Sequence, residues 1–260
     1  MLILILLILQ TVASAGLIMV GSVVEGFGYG LSLGTKWPYH ERILVLAGKG
    51  DPEAWHRIIA TILGVNAVIL AILVHDTDTF AGLILIATTA LLGMGTLYVL
   101  AGKLPSVVHG FHGLLAYSTF LSYLAQLQPG SPPVWSLFNE VIPLHALLLM
   151  IFLGGMVTGQ RGYQRPIGSF VVPRSGGQWV FVLHAFVWLL LILTLGYYVH
   201  RYSAALVLAL LQGIFGFMLY QAVNASPAKP GILALFHQAM AMLICLSLVF
   251  AWQIPVPFMD

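Results

Sequence analysis

The chain has 260 residues, 60% of them hydrophobic and 7% charged, with ten Lys and Arg against eight Asp and Glu for a formal net charge of +2. That composition, with a mean hydropathy of +1.00, excludes an ordinary soluble domain, and the near balance of charge, with no basic tail or Gly-rich phosphate loop, offers nothing for nucleic acid. The expected class is an all-α polytopic membrane protein, because a helix satisfies its own backbone groups in hydrocarbon and an open strand does not.

Apolar stretches able to cross a core of about 30 Å fall at residues 1–24, 55–75, 80–101, 106–127, 138–158, 178–199, 203–223 and 232–252. They predict eight transmembrane helices. The first begins at Met1 without a basic flank and reads as a retained helix rather than a cleaved leader. The second opens on Asp51-Pro52-Glu53-Ala54-Trp55-His56-Arg57, the fourth carries His109 and His112, the fifth His145, the sixth His184 and the eighth His237. Cys245, the single cysteine, has no internal disulfide partner and reads as a packing residue. Trp37, Trp55, Trp135 and Trp179 stand near segment ends, where interfacial anchoring accounts for them.

The chain aligns with itself as two four-helix halves, residues 1–130 and 131–260. Pro105, Phe111 and His112 match Pro230, Phe236 and His237, and Leu97-Tyr98 matches Leu219-Tyr220. Gly28-Tyr29 and Gly34 match Gly162-Tyr163 and Gly168, and His56 matches His184. The common order of these matches indicates a duplication, which in membrane proteins builds sites on equivalent helices. The even-numbered segments then run in one direction, so His56, His112, His184 and His237 lie in one layer of the membrane. Each half offers two imidazoles from two parallel helices, an arrangement that can hold a heme iron axially. An interhelical hydrogen bond is the plainer role for a histidine in a membrane helix, and recurrence of the pair favours ligation. His109 lies one turn from His112 and is the alternative ligand in the first half. His145 has no counterpart and is expected to be a hydrogen-bonded core residue rather than a ligand, while His40, His75 and His200 fall near membrane edges or in loops.

At the start of the second segment, Asp51 can cap a helix, Pro52 suits its first position and Glu53 complements the dipole. Glu53, His56 and Arg57 also share one helical face, so that an acid and a cation approach whatever His56 binds. Nine of the ten basic residues, all but Arg201, fall on the side where the even segments begin. They could meet heme propionates, or they could record a positive-inside orientation.

Glu-x-x-His-Arg at residues 53–57, with Gly26-Phe27-Gly28-Tyr29-Gly30-Leu31 and Trp37-Pro38 before it, resembles the heme A synthase family of cytochrome oxidase assembly proteins. Val157-Thr158-Gly159, Leu211-Gln212 and the histidine openings of the later segments extend the resemblance over nearly the whole chain. It implies a multi-pass cell-membrane oxidoreductase that converts the C8 methyl of heme O to a formyl group. It also implies His56 and His112 on the substrate heme, His184 and His237 on a resident heme b, Glu53 as the essential acid and Arg57 as a propionate partner. The implied partners are the lipid bilayer, heme O synthase, a redox partner and a second copy of the chain in a homo-oligomer. A cysteine pair common in the family's first loop is missing here. Two other functions fit the same segments: a bis-His di-heme electron carrier of b type, and a heme-handling transporter.

Overall fold

The structure, a computed structural model, describes residues 1–128, 133–161 and 165–253. In chain order its elements are α1 (Leu2–Phe27), α2 (Ile43–Gly48), α3 (Pro52–Val74), α4 (Thr77–Leu100), α5 (Val107–Gln126), α6 (Val134–Glu140), α7 (Ile142–Arg161), α8 (Gly176–Tyr197), α9 (Val199–Ala225) and α10 (Leu233–Gln253). The described residues contain no strand. All eight apolar stretches become long helices, joined by two short ones that periodicity did not indicate.

Local chemistry sets the ends. Gly28, at φ 74°, turns the chain out of α1 in the left-handed region that favours glycine. Asp51 accepts a hydrogen bond from the Ala54 amide at 2.9 Å with Pro52 in the first turn of α3, as its sequence suggests. Asp76 caps α4 through the Thr79 amide at 2.8 Å, and Ser175 with Gln178 forms a capping box on α8. The fifth stretch does not start at residue 138: Val141 breaks the helix, α6 ends at Glu140, and α7 begins at Ile142 with Pro143 in its first turn. In α9 the backbone is non-helical at Tyr202, so the regular span starts close to residue 203.

Seven of these helices, α1, α3, α4, α7, α8, α9 and α10, are long and apolar enough to cross a membrane by length and composition. The expectation of eight is met only that far, because α5 is less apolar than the others. Its environment explains the difference. Packed against α1, α4, α7 and α10, α5 is buried without interruption from Tyr117 to Ala125. A helix shielded from lipid on most sides has no need of an apolar surface all round.

The helices pack in two rings. α1 touches α3, α3 touches α4, α4 touches α5 and α5 returns to α1; α7, α8, α9 and α10 close in the same order. The rings meet through α5 against α7 and α1 against α10. The match of Gly162-Tyr163 to Gly28-Tyr29, and the boundary at 130/131, lie outside the described residues. Gly34 and Gly168 both have positive φ, 63° and 79°. The main apolar core gathers the later halves of α5, α8 and α10 with the start of α7, around Leu121, Leu144, Leu191 and Leu248. It fills the end of the bundle opposite the histidine layer.

Where α5 crosses α7, glycines bring backbone against backbone, the small-residue packing that joins helices in lipid. A Cβ on Gly155 would stand 2.8 Å from the His109 carbonyl oxygen and 2.9 Å from the Gly110 Cα, whereas one on Gly16 would meet nothing within 4 Å. Gly155→Val is therefore expected to destabilise the purified protein by about 1–3 kcal/mol, read as a lowered thermal midpoint in detergent. Gly16→Ala should leave the midpoint unchanged or slightly raised.

Candidate functional site

A cavity of about 930 Å³ opens between the rings on the histidine side, and Glu53, His56, Arg57, His112, His184 and His237 all line it. Its volume is in the upper part of the roughly 300–1,000 Å³ usual for small-molecule sites. Most of its wall is apolar.

The four histidines are set by one repeated device. Each imidazole lies edge-on against a glycine of the preceding long helix. A Cβ on Gly21, Gly93, Gly154 or Gly216 would come within 3.2, 3.2, 3.1 or 3.2 Å of Cε1 of His56, His112, His184 or His237 in turn. The missing side chain lets each ring reach the neighbouring backbone. His112 Nδ1 donates to the Thr89 carbonyl at 3.0 Å and His184 Nδ1 to the Met150 carbonyl at 2.9 Å. Both carbonyls lie four residues before the contacting glycine. A neutral imidazole that donates through Nδ1 keeps its lone pair on Nε2, the tautomer a metal needs. At His237 the Nε2 lone pair accepts from the Gln212 amide at 3.2 Å.

In the second ring of helices the two imidazoles meet. The centroids of His184 and His237 are 6.3 Å apart with their planes at 56°. At that spacing His184 and His237 are the residues that would hold a metal between them. In the first ring, His56 and His112 are electrostatic neighbours. His109 stands edge-to-face with His112 at 6.4 Å. Among the described residues no group of three or more His, Cys, Asp or Glu is placed to hold a metal ion. A heme iron asks less of a protein, since the porphyrin supplies four nitrogens and the chain one or two axial ligands. The residues fit such a group: an apolar cavity, four imidazoles lining it, and two of them, His112 and His184, bonded through Nδ1 to the backbone behind them.

Glu53 and Arg57 hold the first loop in place. Glu53, 3% exposed, accepts from the Ser32 hydroxyl at 2.9 Å and the Leu33 amide at 3.1 Å, and it is ion-paired to Arg57. Arg57 also donates to the carbonyls of Gly34 and Lys36. The short α2 adds an apolar anchor beside them, with Leu33, Ile43, Ala47 and Ala54 in one cluster. The pair therefore closes the loop over the cavity mouth while facing the cavity.

Other histidines fall as their positions suggest. His145 is exposed and bonded within its own helix to the Ile142 carbonyl, so the expected core role does not hold. His75 ends α3 in the left-handed conformation, and His40 accepts from the Arg42 amide in the first loop. Trp37, Trp55, Trp135 and Trp179 are all exposed, in keeping with interfacial anchors. The sequence reading missed the four glycines and Glu25, whose Oε1 lies 3.6 Å from His109 Nε2 at the cavity wall. The glycine signal was present, because Gly21 and Gly154, and Gly93 and Gly216, occupy matching places in the two halves.

Comparison with protein-family models, curated proteins and solved structures finds no match.

Removing one member of a buried ion pair strands the other, at a cost of about 3–5 kcal/mol. Arg57→Met is expected to lower thermal stability by that order, and Glu53→Gln combined with Arg57→Met should recover most of it. Limited proteolysis should then cut the 31–42 segment in the single variant faster than in the double.

Proposed function

We propose that the chain is a cell-membrane heme A synthase, with α5 crossing alongside the seven apolar helices to make eight spans in two repeated halves. His184 and His237 would hold heme b, and His56 and His112 would receive heme O delivered from heme O synthase in the same membrane. The observation that carries the heme assignment is the facing pair His184 and His237, 6.3 Å apart with a cavity beside them. Its assignment to heme O oxidation rests on Glu-x-x-His-Arg and on a difference between the halves. Where the first half has Glu53 and Arg57 around His56, the second has Phe181 and Ala185 around His184. Ionisable groups beside one heme and apolar ones beside the other suit one half to chemistry and the other to electron storage.

Bound heme would supply one-electron chemistry that no side chain offers. The chain's own contribution is placement. The Thr89 and Met150 carbonyls fix the rings of His112 and His184 and hold their Nδ1 protons. The clasp of Glu53 and Arg57 keeps the first loop over the cavity and limits water. Glu53 presents a carboxylate at the wall next to His56, where it can hold or take up a proton.

One observation favours a second reading, a di-heme electron carrier: Glu53 is already engaged by Ser32, Leu33 and Arg57. A purely structural acid would give that picture. Co-expression with heme O synthase, followed by extraction and chromatography of the pigments, separates the two. The synthase should yield heme A or its hydroxylated intermediate, Glu53→Gln should abolish it with heme b intact, and His184→Ala or His237→Ala should lose heme b. Recovery of heme B and heme O alone from well-folded protein would show that the enzymatic reading is wrong.

A further inference from the structure

The two halves differ at a second place. Four residues after Gly21 and Gly154 stand Glu25 and Thr158, and three residues before His112 and His237 stand His109 and Ala234. All four line the cavity. In the first half these positions form a pair, His109 Nε2 lying 3.6 Å from Glu25 Oε1 with side chains 9% and 23% exposed. In the second half the same places carry a hydroxyl and a methyl. A partly buried acid on the cavity wall, in the last turn of a helix long enough to span a membrane, marks a functional position, and this one stands only in the half assigned to the substrate.

His109 is held firmly. Cβ atoms on Gly155 and Gly159 would come within 2.8 Å of its carbonyl oxygen and 3.0 Å of its Cβ, so α7 presses directly on this turn of α5. Glu25 lies in the last turn of α1, its Oε1 3.9 Å from where a Cβ on Gly30 would stand. The imidazole thus faces the carboxylate from a fixed position. A carboxylate can accept about four hydrogen bonds. It repels carboxylates such as heme propionates and suits an O–H donor. Heme O differs from heme B in carrying a hydroxyalkyl farnesyl arm in place of a vinyl group.

We infer that Glu25, positioned by His109, is a specificity-determining residue that accepts a hydrogen bond from the side-arm hydroxyl of the substrate heme. This rests on the reading of the first half as the heme O site. A polar site built for a hydroxyl discriminates strongly against the analogue that lacks it, whereas apolar walls do so weakly.

The test titrates heme O and heme B separately into purified full-length protein already holding heme b, and follows the Soret change for the second heme. Glu25→Leu and His109→Leu should weaken heme O by about tenfold to a hundredfold, the range for a hydrogen bond to a charged group. Heme B should change less than about twofold. Because each variant is compared across both ligands, the affinity of the apolar arm cancels. Retention of heme b and of the thermal midpoint shows that a variant is folded, and Glu25→Met, close in size and without an acceptor oxygen, serves where Glu25→Leu is not. Equal weakening of both hemes would mean a structural role, and no weakening of either would mean that the pair holds only water; each overturns the inference while leaving the synthase reading intact. Wild-type protein that takes up neither heme would overturn that reading and this inference with it.

Discussion

Four imidazoles leaning on four glycines set the geometry on which everything else rests. A side chain at any of these glycines would push the ring off the neighbouring helix, since the contact atoms already stand near 3.2 Å from where a Cβ would be. With the side chain absent, Nδ1 of His112 and of His184 donates to a backbone carbonyl one turn before its glycine. The carbonyl partners at Thr89 and Met150 satisfy a polar group that hydrocarbon would otherwise penalise. Helix packing and donor tautomer are therefore fixed by the same contact.

The cavity and the core divide the bundle between them. Leu121, Leu144, Leu191 and Leu248 pack the end away from the histidines, and the glycine crossing of α5 and α7 ties the two rings together. The histidine end stays open because loops, not side-chain packing, close it. There the ion pair of Glu53 and Arg57 fastens the first loop. In the second half the Gly168 carbonyl is held instead by the Tyr220 hydroxyl at 2.6 Å and its amide by Asn224 at 2.9 Å. The two rings of helices close with different chemistry, ionic on one side and neutral on the other.

Much of this was legible in the sequence because hydropathy and caps are local. Asp51 and Pro52 mark the start of α3, and Gly28 ends α1 where the apolar run stops. α5 shows where hydropathy fails: enclosure by other helices removes the demand for an apolar surface, so its span is the weakest by composition. α2 and α6 escaped notice because short helices are stabilised by what they dock on, as Ile43 and Ala47 are against Leu33 and Ala54, and not by their own periodicity. The meeting of His184 and His237 followed from the repeat, whereas the glycines behind them did not, since glycine is common in membrane helices and its purpose appears only once two helices are side by side. Glu25 belongs to no motif; its partner lies on α5, far along the chain.

The coordination of iron in the purified protein tests the central claim most directly. Near-infrared magnetic circular dichroism of the ferric form should show low-spin heme with two neutral imidazole ligands, because His184 and His237 present Nε2 atoms from facing helices. A high-spin spectrum, a histidine–methionine signature, or folded protein with no pigment would contradict the account.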